Sequence, residues 1–320
     1  MGTPDELNVV ASPSVSLLLH GLDTVECCYY LRAPTGEGFD FERLTIQREA
    51  LRQGKSKDPL PITLGGMEFL LQRYGSSSGF PIVLKNADFE IECGEFNDPS
   101  FYVTYRSEAL WREGAFALHQ RFVEWATVLG FRAYRLESLS RVDFTFDYHL
   151  PEIDFDEDNF ITVSVKDSKY RSNQKAQGFY FGQSDAMLRV YNKVAEILEK
   201  SLKVWFFELW GRDTDVWRIE WQVRKDMLRR FGIRSYADLT DQQGDLLRYL
   251  AQEHDSLRIK TEDSNRSRWP LHPLWIDLQE QIKRFNAQGV YRVVDPKAAL
   301  SERAMRIGIS MYGNLKQLAA

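Results

Sequence analysis

The sequence predicts an α+β protein, a central antiparallel β-sheet with packed helices, followed by a mostly helical C-terminal region. Three observations carry this. Segments alternating with period two and segments with helical spacing are mixed without a regular βαβ rhythm. Two alternating runs, Gly178–Gly182 and Ala186–Asn192, are separated only by Gln183–Asp185, as in an antiparallel hairpin. From about Met227 the sequence turns mostly helical, with a break near Trp269-Pro270-Leu271-His272-Pro273.

In chain order, Asp23 to Leu31 is rich in β-favouring residues, including Cys27-Cys28-Tyr29-Tyr30, and reads as a strand. Phe41 to Gln53 is charged and mixed, as in a surface helix. Lys55 to Pro61 reads as a loop marked by Pro59 and Pro61, and Gly75 to Gly79 as a turn. Two strands follow, Ile82–Cys93 and Phe101–Arg106. Leu110, Ala115, Leu118, Phe122, Trp125 and Leu129 recur at helical spacing, so Ser107 to Gly130 is predicted as one amphipathic helix that Gly130 ends. Strands are predicted over Ser140–His149 and Val216–Lys225, with a helix over Lys193–Lys203 between them. The expected division is a catalytic unit over 1–235 and a helical region over 236–320.

The chain has 320 residues, 43 % hydrophobic and 27 % charged, enough for one large or two modest cores. No apolar stretch approaches the ~20 residues that span a bilayer, and the polar start lacks a signal-peptide core, so a cytosolic location without a membrane partner is expected. Cys27, Cys28 and Cys93 are an odd, sparse set without CxxC spacing, which argues against a disulfide scaffold and a zinc site. The net charge of −5 is not that of a protein that coats nucleic acid, yet a local basic face suffices for a DNA partner. Lys166, Lys169, Arg171 and Lys175 form one such stretch. Arg224, Lys225, Arg229 and Arg230 form a second.

Three strands present one apolar and one polar face each. Val142, Phe144, Phe146 and Tyr148 alternate with Arg141, Asp143, Thr145, Asp147 and His149. Trp217, Ile219, Trp221 and Val223 alternate with Arg218, Glu220, Gln222 and Arg224. Leu188 and Val190 alternate with Arg189, Tyr191 and Lys193. Antiparallel sheets often have one wet face, which alone accounts for such alternation. Here that face mixes acids and bases, and a tyrosine sits between two cations at a strand-to-helix junction.

A tyrosine hydroxyl is a weak nucleophile at neutral pH because its pKa is ~10; Arg189 and Lys193 are expected to lower it and to neutralise a phosphate under attack. Asp143, Asp147 and Glu220 are hard oxygen donors suited to Mg²⁺ or Mn²⁺. Asp143 and Asp147 lie ~13 Å apart on an ideal strand, too far to share one ion without a bend. Together these parts suit phosphodiester transesterification, with a covalent phosphotyrosine and a free 3′ hydroxyl. No Walker A pattern occurs, in keeping with re-ligation that needs no ATP. Other roles fit the same residues. Tyr191 can cover the helix start, Asp143 can pair with Arg141, and Glu220 can pair with Arg218 or Arg189 across strands.

These residues carry a resemblance. Ser140-Arg141-Val142-Asp143-Phe144-Thr145-Phe146-Asp147, Tyr180-Phe181-Gly182 with Leu188-Arg189-Val190-Tyr191-Asn192-Lys193, and Val216-Trp217-Arg218-Ile219-Glu220-Trp221-Gln222-Val223-Arg224 resemble the replication initiation factor family. That family covers Rep_trans plasmid initiators of rolling-circle replication, filamentous-phage replication proteins and related relaxases of integrative conjugative elements. Ser100-Phe101-Tyr102-Val103 and Ser107-Glu108-Ala109-Leu110-Trp111 look like its earlier segment. The likeness spans roughly Leu17 to Ile233.

The resemblance implies a relaxase-like or Rep-like sheet and DNA nicking with Tyr191 as nucleophile. It implies Arg189 and Lys193 beside that nucleophile, and Asp143, Glu220 and Asp147 as holders of Mg²⁺ or Mn²⁺. Expected DNA contacts are Arg218, Lys166, Lys169, Arg171, Lys175 and Arg224. Implied partners are origin DNA, single-stranded or melted, and a host helicase. The five histidines form no HxH pair, and no second tyrosine shares helical register with Tyr191, so a second subunit is the expected source of a second strand transfer. A conjugative relaxase, a non-catalytic DNA-binding replication protein and a plain metal-dependent hydrolase stay open as alternatives.

Overall fold

The computed structural model describes residues 15–32, 39–55, 57–164, 167–172 and 175–287. The first strand, β1 (Ser16–Arg32), runs well beyond the segment expected, and α1 (Phe41–Gln53) follows with the Asp40 carboxylate capping its first turn at Arg43 N, 2.7 Å. Next come β2 (Leu60–Leu64), β3 (Met67–Leu71), β4 (Ile82–Lys85), β5 (Phe89–Cys93) and β6 (Phe101–Tyr105). The single strand expected over 82–93 is thus a hairpin, with Asn86 Oδ1 accepting the backbone N–H groups of Asp88 and Phe89 in its turn.

The helix expected over 107–130 is two, α2 (Ser107–Glu113) and α3 (Ala115–Val128). They break at Gly114, whose φ of 84° lies where a side chain would be strained. Then come β7 (Arg132–His149), β8 (Phe160–Thr162), β9 (Asp167–Ser172), β10 (Lys175–Phe181) and β11 (Ala186–Asn192). A short α4 (Lys193–Glu196) continues into a π-helical turn, Ile197–Ser201, and α5 (Phe206–Trp210) leads to β12 (Val216–Arg224). The described chain closes with α6 (Lys225–Arg230), α7 (Tyr236–Tyr249), β13 (Asp255–Leu257) and α8 (Pro273–Ile282). Ser235 and Asp238 form a capping box at the start of α7. Pro273 opens α8, where its missing N–H costs nothing, and His272 caps that helix.

Eleven strands form one sheet in the order β2-β3-β4-β5-β6-β1-β7-β12-β11-β10-β9, and every neighbouring pair is antiparallel. The α+β class with a central antiparallel sheet is therefore as expected. Its apolar face, with Val25, Cys27, Phe144, Phe146, Ile219 and Trp221, packs in one core with α3, α6, α7 and α8. Leu246, Leu247, Trp275 and Leu278 of the C-terminal helices belong to that same core. On the opposite face a small second core of Val194, Ile197, Phe206, Trp210 and Val216 covers one end of the sheet. All three cysteines are buried and free. No helix among the described residues is long and apolar enough to cross a membrane.

Candidate functional site

The polar residues of β7, β12 and β11 meet because the three strands are neighbours with matched register. Glu220 stands opposite Arg189 on one side and Thr145 on the other, Arg218 is opposite Tyr191 and Asp147, and Gln222 is opposite Asp143. Alternation along each strand sends these side chains to the face opposite the main core.

Tyr191 is 6 % exposed, and its hydroxyl donates to Glu220 Oε2 at 2.8 Å. Arg189 Nη1 donates to Glu220 Oε1 at 3.0 Å, and its Nη2 to Gln222 Oε1 at 2.6 Å. Asp143 is buried, and both its oxygens accept from Arg141, whose Nη1 also reaches Glu26 Oε1 at 3.2 Å. The Tyr191 ring lies beside Tyr180, with centroids 6.4 Å apart, and Gly178 stands opposite Tyr191 on β10. A Cβ on Gly178 would lie 2.9 Å from Tyr191 Cβ, so only glycine leaves the ring its place.

The sequence-based electrostatics of Tyr191 need correction. Burial, then the negative charge of Glu220, pushes its phenol well above the usual tyrosine value, and Arg218 opposes this only in part. Lys193 does not act as an open cation. It is buried, its Nζ donates to Glu196 at 2.6 Å, and it lies 5.6 Å from the ring centres of both Tyr191 and Phe206. Burial and the nearby Arg218 lower its pKa.

Asp147 and Arg218 form a separate layer. Asp147 is fully buried and accepts Arg218 Nε at 2.6 Å and Nη2 at 2.8 Å, with the Trp210 indole N–H at 2.9 Å. Arg218 is 0 % exposed and cannot touch DNA as expected; it anchors acids inside the fold. Its Nη1 stands 3.1 Å from Asp23 Oδ1 as an ion pair, without hydrogen-bond alignment.

Asp23 was not singled out from sequence. It also accepts from Ser107 Oγ at 2.7 Å, Trp111 Nε1 at 3.2 Å and Lys203 Nζ at 3.1 Å. Burial pushes its carboxyl up, but Arg218, Lys203 and Lys193 outweigh burial and hold it well below the usual range. Glu26, Arg141 and Gln222 are further members of the network that the candidate set lacked. Lys166 lies outside the described residues, as do the side chains of Lys169, Arg171 and Lys175, whose backbones run on β9 and β10. Arg224 is exposed at the end of β12, opposite Arg141.

The expected three-carboxylate metal set does not converge. Among the described residues no group of three or more histidine, cysteine or acidic side chains is gathered. Asp147 lies in the Arg218 and Trp210 layer; a metal at Asp143 and Glu220 would have to displace Arg141, Arg189 or Tyr191 from their oxygens. Burial, reinforced by Glu220 and opposed by Arg141, raises the Asp143 carboxyl to about 7. Two carboxylates whose charges oppose each other in a buried setting suit a hard divalent cation that takes its other ligands from water and phosphate.

No model of a known protein family matches the chain, and no curated protein sequence matches it. Among solved structures, it is similar to a rolling-circle replication initiator protein from Geobacillus stearothermophilus. The TM-score is 0.50 at 18 % identity, covering 85 % of this chain and 98 % of the other. At that identity the likeness is one of fold alone.

Proposed function

We propose that this chain initiates rolling-circle replication by nicking and re-ligating origin DNA, with Tyr191 as nucleophile. The observation that carries the reading is the Tyr191 hydroxyl on Glu220 Oε2, while the other oxygen of Glu220 accepts from Arg189. The fold shared with a replication initiator supports it.

On this reading a single strand lies over the open end of the polar face. As the Tyr191 Oη–P bond forms, the phenol proton passes to Glu220 Oε2, the P–O3′ bond breaks and the 3′ oxygen takes a proton from water. Arg189 and Arg141 neutralise the phosphate and hold the acids in place. Asp143 and Glu220 are the residues that would hold Mg²⁺ or Mn²⁺, and a bound ion polarises the phosphoryl oxygens. The covalent phosphotyrosine conserves the phosphodiester energy, so attack by a 3′ hydroxyl reseals the strand. The partners this implies are origin DNA, a host helicase and a second copy of the chain, in the cytosol.

The near-complete burial of Tyr191 favours a second reading, in which Asp143 and Glu220 support hydrolysis and Tyr191 is a packing residue. One gel separates the two. The protein is incubated with labelled single-stranded fragments of its own element and Mn²⁺ or Mg²⁺, with Tyr191→Phe alongside. A metal-dependent, DNA-shifted protein band that disappears in Tyr191→Phe is expected. Cleavage without a shifted band, unchanged in Tyr191→Phe, overturns the covalent reading. Binding with neither cleavage nor adduct overturns nicking altogether.

A further inference from the structure

The polar face of β1 does not end at the candidate site. From Glu26, which holds Arg141, it continues through Cys28 and Tyr30 toward Arg32. Opposite them, β7 supplies Arg135 against Tyr30 and Arg132 against Arg32, with register shifts between Cys28 and Leu31 that bend the strand pair. The bend stacks four side chains in a row. The Arg135 guanidinium sits 3.3 Å over the ring of Tyr30, Tyr30 meets Tyr134 edge-on at 6.2 Å, and Arg32 lies 5.3 Å over Tyr134.

Tyr30 is buried at the base, while Arg32, Arg132, Arg135 and Tyr134 are exposed, Tyr134 by 46 %. The Tyr134 hydroxyl donates to Asp98 at 2.8 Å, which fixes the ring, and Phe96 on the same loop is 94 % exposed. None of Arg32, Arg132 and Arg135 pairs with a carboxylate among the described residues. Lys225 and Arg229 approach from α6 and are likewise unpaired there. Burial pushes the Cys28 thiol up; Lys225 and Arg229 pull it back, Glu26 adds to the rise and Arg135 opposes it. In a chain of net charge −5 this strip gathers five cations, with Asp98 and Glu26 as acidic neighbours.

Arginines without a carboxylate partner among the described residues, set around one fixed, exposed tyrosine ring, fit one class of partner. Arginine takes phosphates and stacks, and a tyrosine face takes a base of any sequence. We propose that Arg32, Arg132, Tyr134 and Arg135 form a single-stranded DNA ledge that grips nucleotides flanking the scissile phosphate. The ledge rests on the reading that DNA is the substrate, and it does not depend on which residue attacks. Its continuity with Glu26 and Arg141 along one strand makes it a track leading to the site, about 13 Å long from Glu26 to Tyr30 at ~3.3 Å per residue.

The test is fluorescence anisotropy of the full chain with a labelled oligo(dT) and a duplex of equal length, across salt. Tyr134→Ala is expected to weaken oligo(dT) binding about tenfold or more, while Tyr134→Phe, which keeps the stacking face and loses only the Asp98 bond, stays near wild type. Arg32→Ala/Arg132→Ala/Arg135→Ala is expected to flatten the salt slope by about 2, at ~0.7 per phosphate contact. Variants that bind oligo(dT) like wild type overturn the ledge, as does a wild-type chain that binds none. Arginine effects that are equal on duplex and single strand, without an effect of Tyr134→Ala, overturn stacking. An adduct that survives loss of the ledge sinks this proposal alone, whereas ledge binding in a chain that forms no adduct sinks the nicking reading alone.

Discussion

The Tyr191 hydroxyl and Glu220 Oε2 are joined at 2.8 Å across neighbouring strands, and burial, then the charge of that acceptor, holds the tyrosine protonated. Neutralising that acceptor should release it. Glu220→Gln is expected to bring Tyr191 to ionise at lower pH than in wild type. Phenolate difference absorbance on an alkaline titration, with Tyr191→Phe subtracted, reads the shift. An unchanged titration would show that burial alone sets it.

Asp143 predicts a pH-dependent stability. Its folded carboxyl is raised to about 7, by burial first, against ~3.9 in the unfolded chain. Its contribution is therefore fully present below about pH 4 and is lost as pH rises through about 7. Asp143→Asn should make the fold more stable than wild type at pH 8, by on the order of 1–3 kcal/mol in urea denaturation, and leave stability unchanged near pH 4. In wild type, Mn²⁺ should stabilise more at pH 8 than at pH 5, and Asp143→Asn should remove that gain. Equal stabilisation of both proteins by Mn²⁺ would place the ion elsewhere.

Arg218 compensates two buried acids, Asp147 and Asp23. Arg218→Met leaves both without their main counter-charge, so urea denaturation should show a loss of about 3–5 kcal/mol. A loss under about 1 kcal/mol would mean that Lys203 and Trp210 suffice.

Gly178 sets the position of Tyr191 from the neighbouring strand. Gly178→Ala should cut adduct formation about a hundredfold, since an ångström of misplacement has that effect on an oriented nucleophile. Binding of oligo(dT) should stay unchanged. Adduct yield equal to wild type would show that the sheet absorbs the added methyl.

Leu202 follows the π-helical turn in the left-handed region, φ 56°, with its side chain largely exposed. Leu202→Gly should stabilise the fold by roughly 1 kcal/mol, because glycine adopts this backbone without the Cβ penalty. A lower melting temperature would mean that the side chain holds the cover in place.

Much of the sheet was legible because period-two alternation survives in β7, β11 and β12, whose polar faces the register then brings together. Asp23 was illegible for the same reason. Counting back by twos from Tyr29, Cys27 and Val25 puts it in the main core, but the register shift between Leu22 and Thr24 turns it to the other face. The hairpin of β2 and β3 was hidden by Pro61, which reads as loop yet sits on an edge strand, where a missing N–H is tolerated. Alternation also could not tell a wet polar face from a covered one. The lid residues Phe206 and Trp210 that close over Arg218 and Asp147 come from a segment with no periodic link to those strands.

The place of β1 in the strand order has a consequence for how the chain is made. Ser16 pairs with His149, about 130 residues later by their numbers, while β6 is the nearer partner. In synthesis β6 precedes β7, so the edge of β1 that β7 covers can be paired only after the later strand has been made. Only then can β12 and β11 extend the sheet. A high contact order of this kind slows folding and leaves an open strand edge to stray partners, so recombinant yield should respond to temperature and to chaperone supply more than to the native state's stability.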